Sequence, residues 1–314
     1  VDDKEDSRLF LMGPTASGKT ALACHLATYL PIELVNVDSA SVYRGLDIGA
    51  AKPDRETLRR FPHHLMDCVD PDDAYSAARF VEDAQRVMSQ IQARGHIPLL
   101  VGGTPLYFRA LQSGLSVLPA ADAQIRRAIE EEAARVGWPA LHALLAECDP
   151  ETARRLAPHD RQRIQRALEV WRLTGRTLSD WHREAVAVCS PRTLTLGLLP
   201  GQRQGLHERI AQRFDQMLAQ GLVEEVRRLR RDYPNLCADH PAMRAVGYRQ
   251  VWQYLDGELS AVEMRERGII ATRQLARRQL TWLRHWPDLV GLDPDIPGWQ
   301  EEALARVRKF LYEE

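Results

Sequence analysis

The chain is expected to fold as an α/β protein: a parallel sheet flanked by helices, with a small all-helical domain inserted into it. Two observations predict this. Over the first 112 residues, short apolar runs alternate with helical periods, and strands separated by helices pair into a parallel sheet covered on both faces. From about 119 to 190 strand character stops, leaving helical periods rich in Ala, Arg, Glu and Leu, and it returns at 193–199.

Taken in order, Leu9-Phe10-Leu11-Met12 reads as the first strand and 21–27 as a helix. Residues 32–37 read as a second buried strand ending at Asp38, and 65–69 as a third. A helix follows over 76–93, then a strand over 97–101 closed by Gly102-Gly103-Thr104. Five helical periods succeed one another at 123–136, 139–147, 150–156, 160–173 and 177–184. After the strand at 193–199 the chain is mostly helical. Leu206, Ile210, Phe214, Met217 and Leu218 mark one apolar face of a helix over 204–219, and a long helix covers 260–285. The division that follows is a core of 1–115 and 191–314 interrupted by a helical insertion at 116–190.

The 314 residues carry a net charge of −1, so the whole molecule is no polycation and any nucleic-acid surface is a local patch. Five cysteines stand far apart with no C-x-x-C pair, which argues against a zinc site or disulfide framework and suits a reducing cytosol. No apolar run reaches the roughly 18 residues of a membrane span and no signal-peptide pattern opens the chain. A cytoplasmic location without membrane contact is therefore expected, and Val1-Asp2-Asp3-Lys4 reads as a tail.

The segment Gly13-Pro14-Thr15-Ala16-Ser17-Gly18-Lys19-Thr20 fits the P-loop pattern G-x-x-x-x-G-K-[ST]. A strand precedes it and a helix follows, the context that makes the match meaningful. Its glycines let backbone N–H groups curl around phosphate oxygens, and the helix N-terminus adds its positive end. Lys19 supplies a cation, and Thr20 can offer its hydroxyl to Mg²⁺.

Other positions leave two readings open. Asp38 and Ser39 follow a strand end, the edge where α/β sheets bind ligands. There a carboxylate can hold a metal, take a proton, or simply cap a turn. Gly102-Gly103-Thr104 occupies the place where many P-loop NTPases carry an acid; without one, an ATPase reading weakens and a tight turn with a hydroxyl remains. Arg209 and Arg213 can reach a diphosphate or face solvent. Segments 162–166 with Arg and Gln, 244–249 with Arg, and 273–284 with Arg, Gln and Trp are basic, a composition suited to RNA and also to a charged helix face. Trp252, Trp282 and Trp286 read more readily as core anchors than as base platforms.

Together these residues closely resemble bacterial tRNA dimethylallyltransferases, P-loop prenyltransferases that modify the adenosine just 3′ of the anticodon. The resemblance is carried by 13–20, Asp38-Ser39, 42–49, Ala51-Lys52-Pro53, His64-Leu65-Met66-Asp67, 101–107, Asp160 with 163–170, Met217-Leu218, Gly221-Leu222, 245–250 and 271–284. These stretches run in family order from the first strand to the last long helix. Ser41 stands where many relatives have Gln and Ala50 where many have Thr, which removes an amide and a hydroxyl. No zinc-finger extension follows the core, which points to a bacterial member.

The resemblance implies that Gly13, Pro14, Thr15, Ala16, Ser17, Gly18, Lys19 and Thr20 hold the pyrophosphate of dimethylallyl diphosphate, with Mg²⁺ at Thr20. Adenosine N6 then attacks C1 of the dimethylallyl group. Asp38, Thr104, Lys19 and Arg213 form the implied catalytic set, with Asp38 as base and Arg213 as the clamp, Arg209 second. Contacts to tRNA are implied for Asp38, Ser39, Ala40, Ser41, Thr104 and Arg126. In the insertion they fall on Gln162, Arg163, Ile164, Gln165 and Arg166. Further along they fall on Arg244, Ala245, Val246, Gly247, Tyr248 and Arg249, then on Arg277, Arg278, Gln279, Thr281, Trp282 and Arg284. The partner is the tRNA anticodon stem-loop, with its adenosine flipped out of the stack, and no obligate protein partner is inferred. A nucleotide isopentenyltransferase shares the P-loop and Asp38 but needs neither the insertion nor the basic helix. A small-molecule kinase explains the P-loop alone. A non-catalytic RNA-binding scaffold conflicts with the intact Lys19, Thr20, Asp38 and Thr104.

Overall fold

The computed structural model describes residues 7–114, 118–119, 121–184 and 192–313; the tail expected at 1–4 lies outside the described residues. The elements are β1 (Arg8–Met12), α1 (Lys19–Tyr29), β2 (Ile32–Val37), α2 (Arg55–Arg60), β3 (His63–His64), α3 (Ala77–Ala93), β4 (Ile97–Gly102) and α4 (Pro105–Ser113). Then come α5 (Ala123–Val136), α6 (Trp138–Cys148), α7 (Pro150–Arg155), α8 (Arg161–Thr174) and α9 (Leu178–Arg183). The chain ends with β5 (Thr193–Leu198), α10 (Arg203–Ala219), α11 (Leu222–Asp232), α12 (Tyr248–Leu255), α13 (Ala261–Arg284), β6 (Leu289–Leu292) and α14 (Trp299–Tyr312). It forms two compact units, one of Val1–Ala110 with Ser190–Glu314, the other of Leu111–Cys189.

In the larger unit the strands make one parallel sheet in the order β3-β2-β4-β1-β5-β6. The inner strands are continuous apolar runs because both faces are covered. On one face Leu9, Leu11, Leu34, Leu99 and Leu196 pack with Leu22 and Leu26 of α1 and Val307 of α14. Elsewhere in this unit Phe10 meets Phe108 of α4 at 5.0 Å between ring centroids, and Phe80 of α3 stacks on Tyr107 at 4.4 Å. The chain leaves β1 for β2 on one side and reaches β5 on the other. Such a reversal opens a crevice at the carboxyl ends of the strands. Register makes those ends level: Met12 pairs with Gly102 and Gly197, and Val37 with Gly102.

The strand expected at 65–69 is not there. β3 is His63–His64, and the chain then bends because Leu65 and Asp67 adopt left-handed φ of 61° and 53°. Lys52 holds the bend through Asp67 at 2.6 Å, and Asn36 holds it through the Leu65 carbonyl at 3.1 Å. β6 lies within the stretch expected to be helical. It is a four-residue edge strand with only Leu292 buried, too short and exposed to give a pattern.

The described residues of the smaller unit form helices joined by short loops, with no strand among them. Ile129, Leu141, Leu145, Ile164 and Leu168 form its core. Glu169 is fully buried and accepts hydrogen bonds from the Asp122 N–H, Arg126 and Arg166. Burial pushes its carboxyl up, but the two guanidiniums outweigh that and leave it below the ordinary value.

At the amino edge of the sheet, Glu33 of β2 bonds Arg94 at 2.7 Å, His64 at 2.7 Å and His96 at 2.8 Å. The Arg94 hydrogen bond, helped by the two histidines against the pull of burial, holds its carboxyl at about 2 rather than 4.5. A depressed carboxylate contributes stability above its unfolded value that disappears as the folded pKa is approached. Glu33→Gln is therefore expected to melt below wild type at neutral pH, with the gap closing as pH falls from 4.5 to about 2. A gap that stays constant across that window in thermal melts contradicts the linkage.

Candidate active site

The loop between β1 and α1 is built to face an anion. Ala16 at φ 61° and Gly18 at φ 92° are both left-handed and curl the chain. α1 then starts at Lys19 with no side-chain cap and no acid in its first turn, so its N-terminal dipole is left for a ligand. Ser17 Oγ is buried without a hydrogen-bond partner, a donor whose desolvation a phosphate oxygen would offset. Lys19 Nζ donates to the Pro14 carbonyl at 2.7 Å. Burial brings the Lys19 ammonium down to about 8; Asp38 opposes the shift and Arg213 adds to it.

Asp38, just past β2, uses Oδ1 to accept the Ala40 N–H at 2.8 Å and the Ser41 N–H at 3.3 Å. It does cap a turn, yet among the described residues Oδ2 has no hydrogen bond. Thr104, just past β4, accepts the Ser39 N–H at 3.1 Å and donates to Ser39 Oγ at 3.4 Å. Close approach of β2 and β4 demands glycine at 102, where a Cβ would lie 1.9 Å from the Val37 carbonyl oxygen.

Lys19, Asp38 and Thr104 share a cavity of 370 Å³, which Gly13, Pro14, Ser17 and Gly18 do not line. Thr15, Ala16, Lys19 and Thr20 line it, as do Asp38, Ser39, Ala40, Ser41 and Thr104. Arg213 of α10 lines it too, half-buried and below its ordinary pKa through burial, with Asp38 opposing. The guanidinium remains charged in any accessible pH range. An apolar wall completes the cavity: Ile210, Phe214 and Met217 of α10 and Leu275 of α13. Sequence reasoning took the α10 residues only as a core face. Their spacing cannot distinguish a wall that faces protein from one that faces a ligand.

The other expected site residues divide between the cavity, the protein interior and the surface. Arg209 does not line the cavity: Nε donates to the Ala16 carbonyl at 3.3 Å and Nη1 meets Asp295 at 2.9 Å. It braces the P-loop from behind. Gln279 lines the cavity but is 6% exposed, with its amide bonded to the Thr15 N–H and the Gly103 carbonyl, so its partners are loop backbone. Tyr248 is fully buried, donating to Glu225 at 2.6 Å and accepting the Ala50 N–H at 3.1 Å. Ile164 is a core residue of the smaller unit. Neither the Tyr248 nor the Ile164 side chain is available to RNA. Arg244, Ala245, Val246, Gly247 and Arg278 line the cavity, and Arg249, Arg277, Thr281 and Arg284 are exposed. Trp252 and Trp286 are buried anchors, whereas Trp282 is 40% exposed and is not one. In the smaller unit Gln162 and Arg163 are exposed, Arg126 and Arg166 are held by Glu169, and Gln165 donates to Glu130 at 2.9 Å.

Sequence reasoning also missed Glu225. Its buried carboxylate accepts three successive N–H groups, from Asp47, Ile48 and Gly49. It thereby fixes the loop that places Ala50, Ala51, Lys52 and Pro53 against the cavity. Lys52 is saturated by the Tyr43 carbonyl, Asp47 and Asp67.

A family model described as IPP transferase matches residues 41–286. The tRNA dimethylallyltransferase of Thiobacillus denitrificans is 58% identical over 303 residues, covering 96% of each chain. That of Nitrosomonas eutropha is 55% identical, covering 98% of this chain and 97% of its own. Among solved structures, the full-length tRNA isopentenylpyrophosphate transferase of Bacillus halodurans is 34% identical with a TM-score of 0.72, covering 98% of this chain and 97% of that one. A eukaryotic dimethylallyltransferase acting on tRNA is 27% identical with a TM-score of 0.81, covering 96% of this chain and 78% of that one.

Lysine occurs only at 4, 19, 52 and 309, so NMR of lysine-labelled protein can follow Lys19 directly. One signal, missing in Lys19→Ala, is expected to titrate near 8 and to move upward when inorganic diphosphate is added. A Lys19 midpoint at the ordinary 10.5, unmoved by diphosphate, contradicts the buried cation.

Proposed function

The chain belongs to the IPP transferase family, and from that premise we propose that its cavity is where a dimethylallyl group passes from dimethylallyl diphosphate to tRNA. The acceptor is N6 of the adenosine 3′-adjacent to the anticodon, and diphosphate leaves. One observation carries this reading: a single cavity joins an anion cradle, an apolar wall and an acceptor-side carboxylate. A kinase reading leaves the strand end at Gly102-Gly103 without the acid that many P-loop NTPases carry there.

The residues divide the work. Thr15, Ala16, Ser17, Lys19 and Thr20 hold the diphosphate, the prenyl chain lies along Phe214, Met217 and Leu275, and N6 meets Asp38. As N6 bonds to C1, the C1–O bond breaks and its electron pair leaves with the diphosphate. Lys19 and Arg213 stabilise this growing charge more than the ground state. Asp38, anchored through Oδ1, keeps Oδ2 to accept the N6 proton. The Thr20 hydroxyl is a hard oxygen donor on the cavity. It suits a Mg²⁺ that brings most of its ligands with the diphosphate and water. When bound, the ion would neutralise charge on the leaving group.

For the RNA, the exposed Arg277, Arg278, Thr281, Trp282 and Arg284 of α13 offer phosphate contacts and a stacking surface. In the smaller unit Arg126, Gln162, Arg163, Gln165 and Arg166 serve the anticodon stem-loop. The adenosine must leave its stack to reach Asp38.

The test is transfer of label from dimethylallyl diphosphate, with Mg²⁺, to an anticodon stem-loop, with free AMP as a parallel acceptor. Label in the RNA alone is expected. Label in AMP alone, or none, overturns the reading. In the same assay Asp38→Asn is expected to lose roughly 10²–10⁴-fold in turnover while stem-loop affinity holds. Turnover near wild type removes Asp38 from the chemistry.

A further inference from the structure

Gln279 sits on α13 and is nearly fully buried. Its Oε1 accepts the Thr15 N–H at 2.9 Å, and its Nε2 donates to the Gly103 carbonyl at 2.7 Å. A backbone N–H only donates and a carbonyl only accepts, so the partners themselves fix the orientation of the amide. The contact is close: a Cβ on residue 103 would lie 2.4 Å from Nε2. Position 103 is bare where the amide crosses it.

The two bonds join the loops that end β1 and β4. One loop leads to Ser17 and Lys19. The other leads to Thr104, whose hydroxyl accepts the N–H of Ser39, next to Asp38. We propose that Gln279 is a positioning residue for the transfer. It sets the distance between the diphosphate cradle and the acceptor carboxylate, acting through the backbone of Thr15 and Gly103. The inference rests on the donor and acceptor assignments proposed above.

The physical consequence is specific. Reacting atoms need near-attack geometry, and a misplacement of about 1 Å costs on the order of 10²-fold in rate. Each substrate keeps its own contacts when the amide is lost. The deficit therefore belongs to the transfer step and not to binding.

Gln279→Met has similar length and removes both bonds. Its single-turnover transfer rate, with dimethylallyl diphosphate and stem-loop both saturating, is expected to fall about 10-fold or more. The affinities for the stem-loop and for dimethylallyl thiolodiphosphate, measured separately, are expected to stay within about threefold. An unchanged rate overturns the proposal. So does a rate loss matched by an equal loss of either affinity, which makes Gln279 a substrate contact or a residue of the general fold. Gln279→Asn, one methylene too short to reach both loops, is judged by the same criteria if Gln279→Met does not fold. A wild-type protein that transfers nothing to RNA overturns the underlying reading, and this inference with it.

Discussion

The site depends on the parallel insertion of β4 between β1 and β2. That pairing levels Met12, Val37 and Gly102 at one edge. It thereby brings the P-loop, Asp38 and Thr104 to one cavity from three distant parts of the chain. It tolerates no side chain at 102, where a Cβ would meet the Val37 carbonyl oxygen at 1.9 Å. The helices then lock two of these ends and a neighbouring loop: Arg209 of α10 holds Ala16, Gln279 of α13 holds Thr15 and Gly103, and Glu225 of α11 holds the loop at 47–49.

The electrostatics of the cavity are incomplete without a ligand. Lys19 and Arg213 are both shifted down by burial, and Asp38 is the carboxylate that opposes both shifts. In the same loop, though not on the cavity wall, Ser17 Oγ is desolvated with no partner. Such groups cost free energy in the empty protein and give it back when an anion arrives. The apolar side chains of Phe214, Met217 and Leu275 complement the other half of the substrate. A diphosphate with a hydrocarbon tail satisfies both halves.

Much of the fold was legible because its signals are local. Buried strands such as β1 and β4 are continuous apolar runs, the insertion helices repeat at the helical period, and the P-loop is contiguous. What the local pattern does not carry depends on distant partners. Residues 65–69 have strand-like composition, but Lys52 and Asn36 hold them in a bend. Gln279 lies in a basic helix and so reads as an RNA contact, while its partners lie 264 and 176 residues away. Arg209 and Arg213 are equivalent in sequence, four apart on one helix. Asp295, near the far end of the chain, draws Arg209 behind the loop. The likeness to dimethylallyltransferases identifies the family from motif order, but it does not separate Tyr248 and Ile164, which fill cores, from neighbours that face a ligand.

The most direct test is a crystal structure with dimethylallyl thiolodiphosphate, whose slow leaving group keeps the donor intact. The diphosphate is expected against Ser17, Lys19 and Thr20, with the prenyl chain along Phe214, Met217 and Leu275 and C1 turned toward Asp38. A diphosphate bound outside the P-loop, or a prenyl chain directed away from the Asp38 side, contradicts the assignment of this cavity to prenyl transfer.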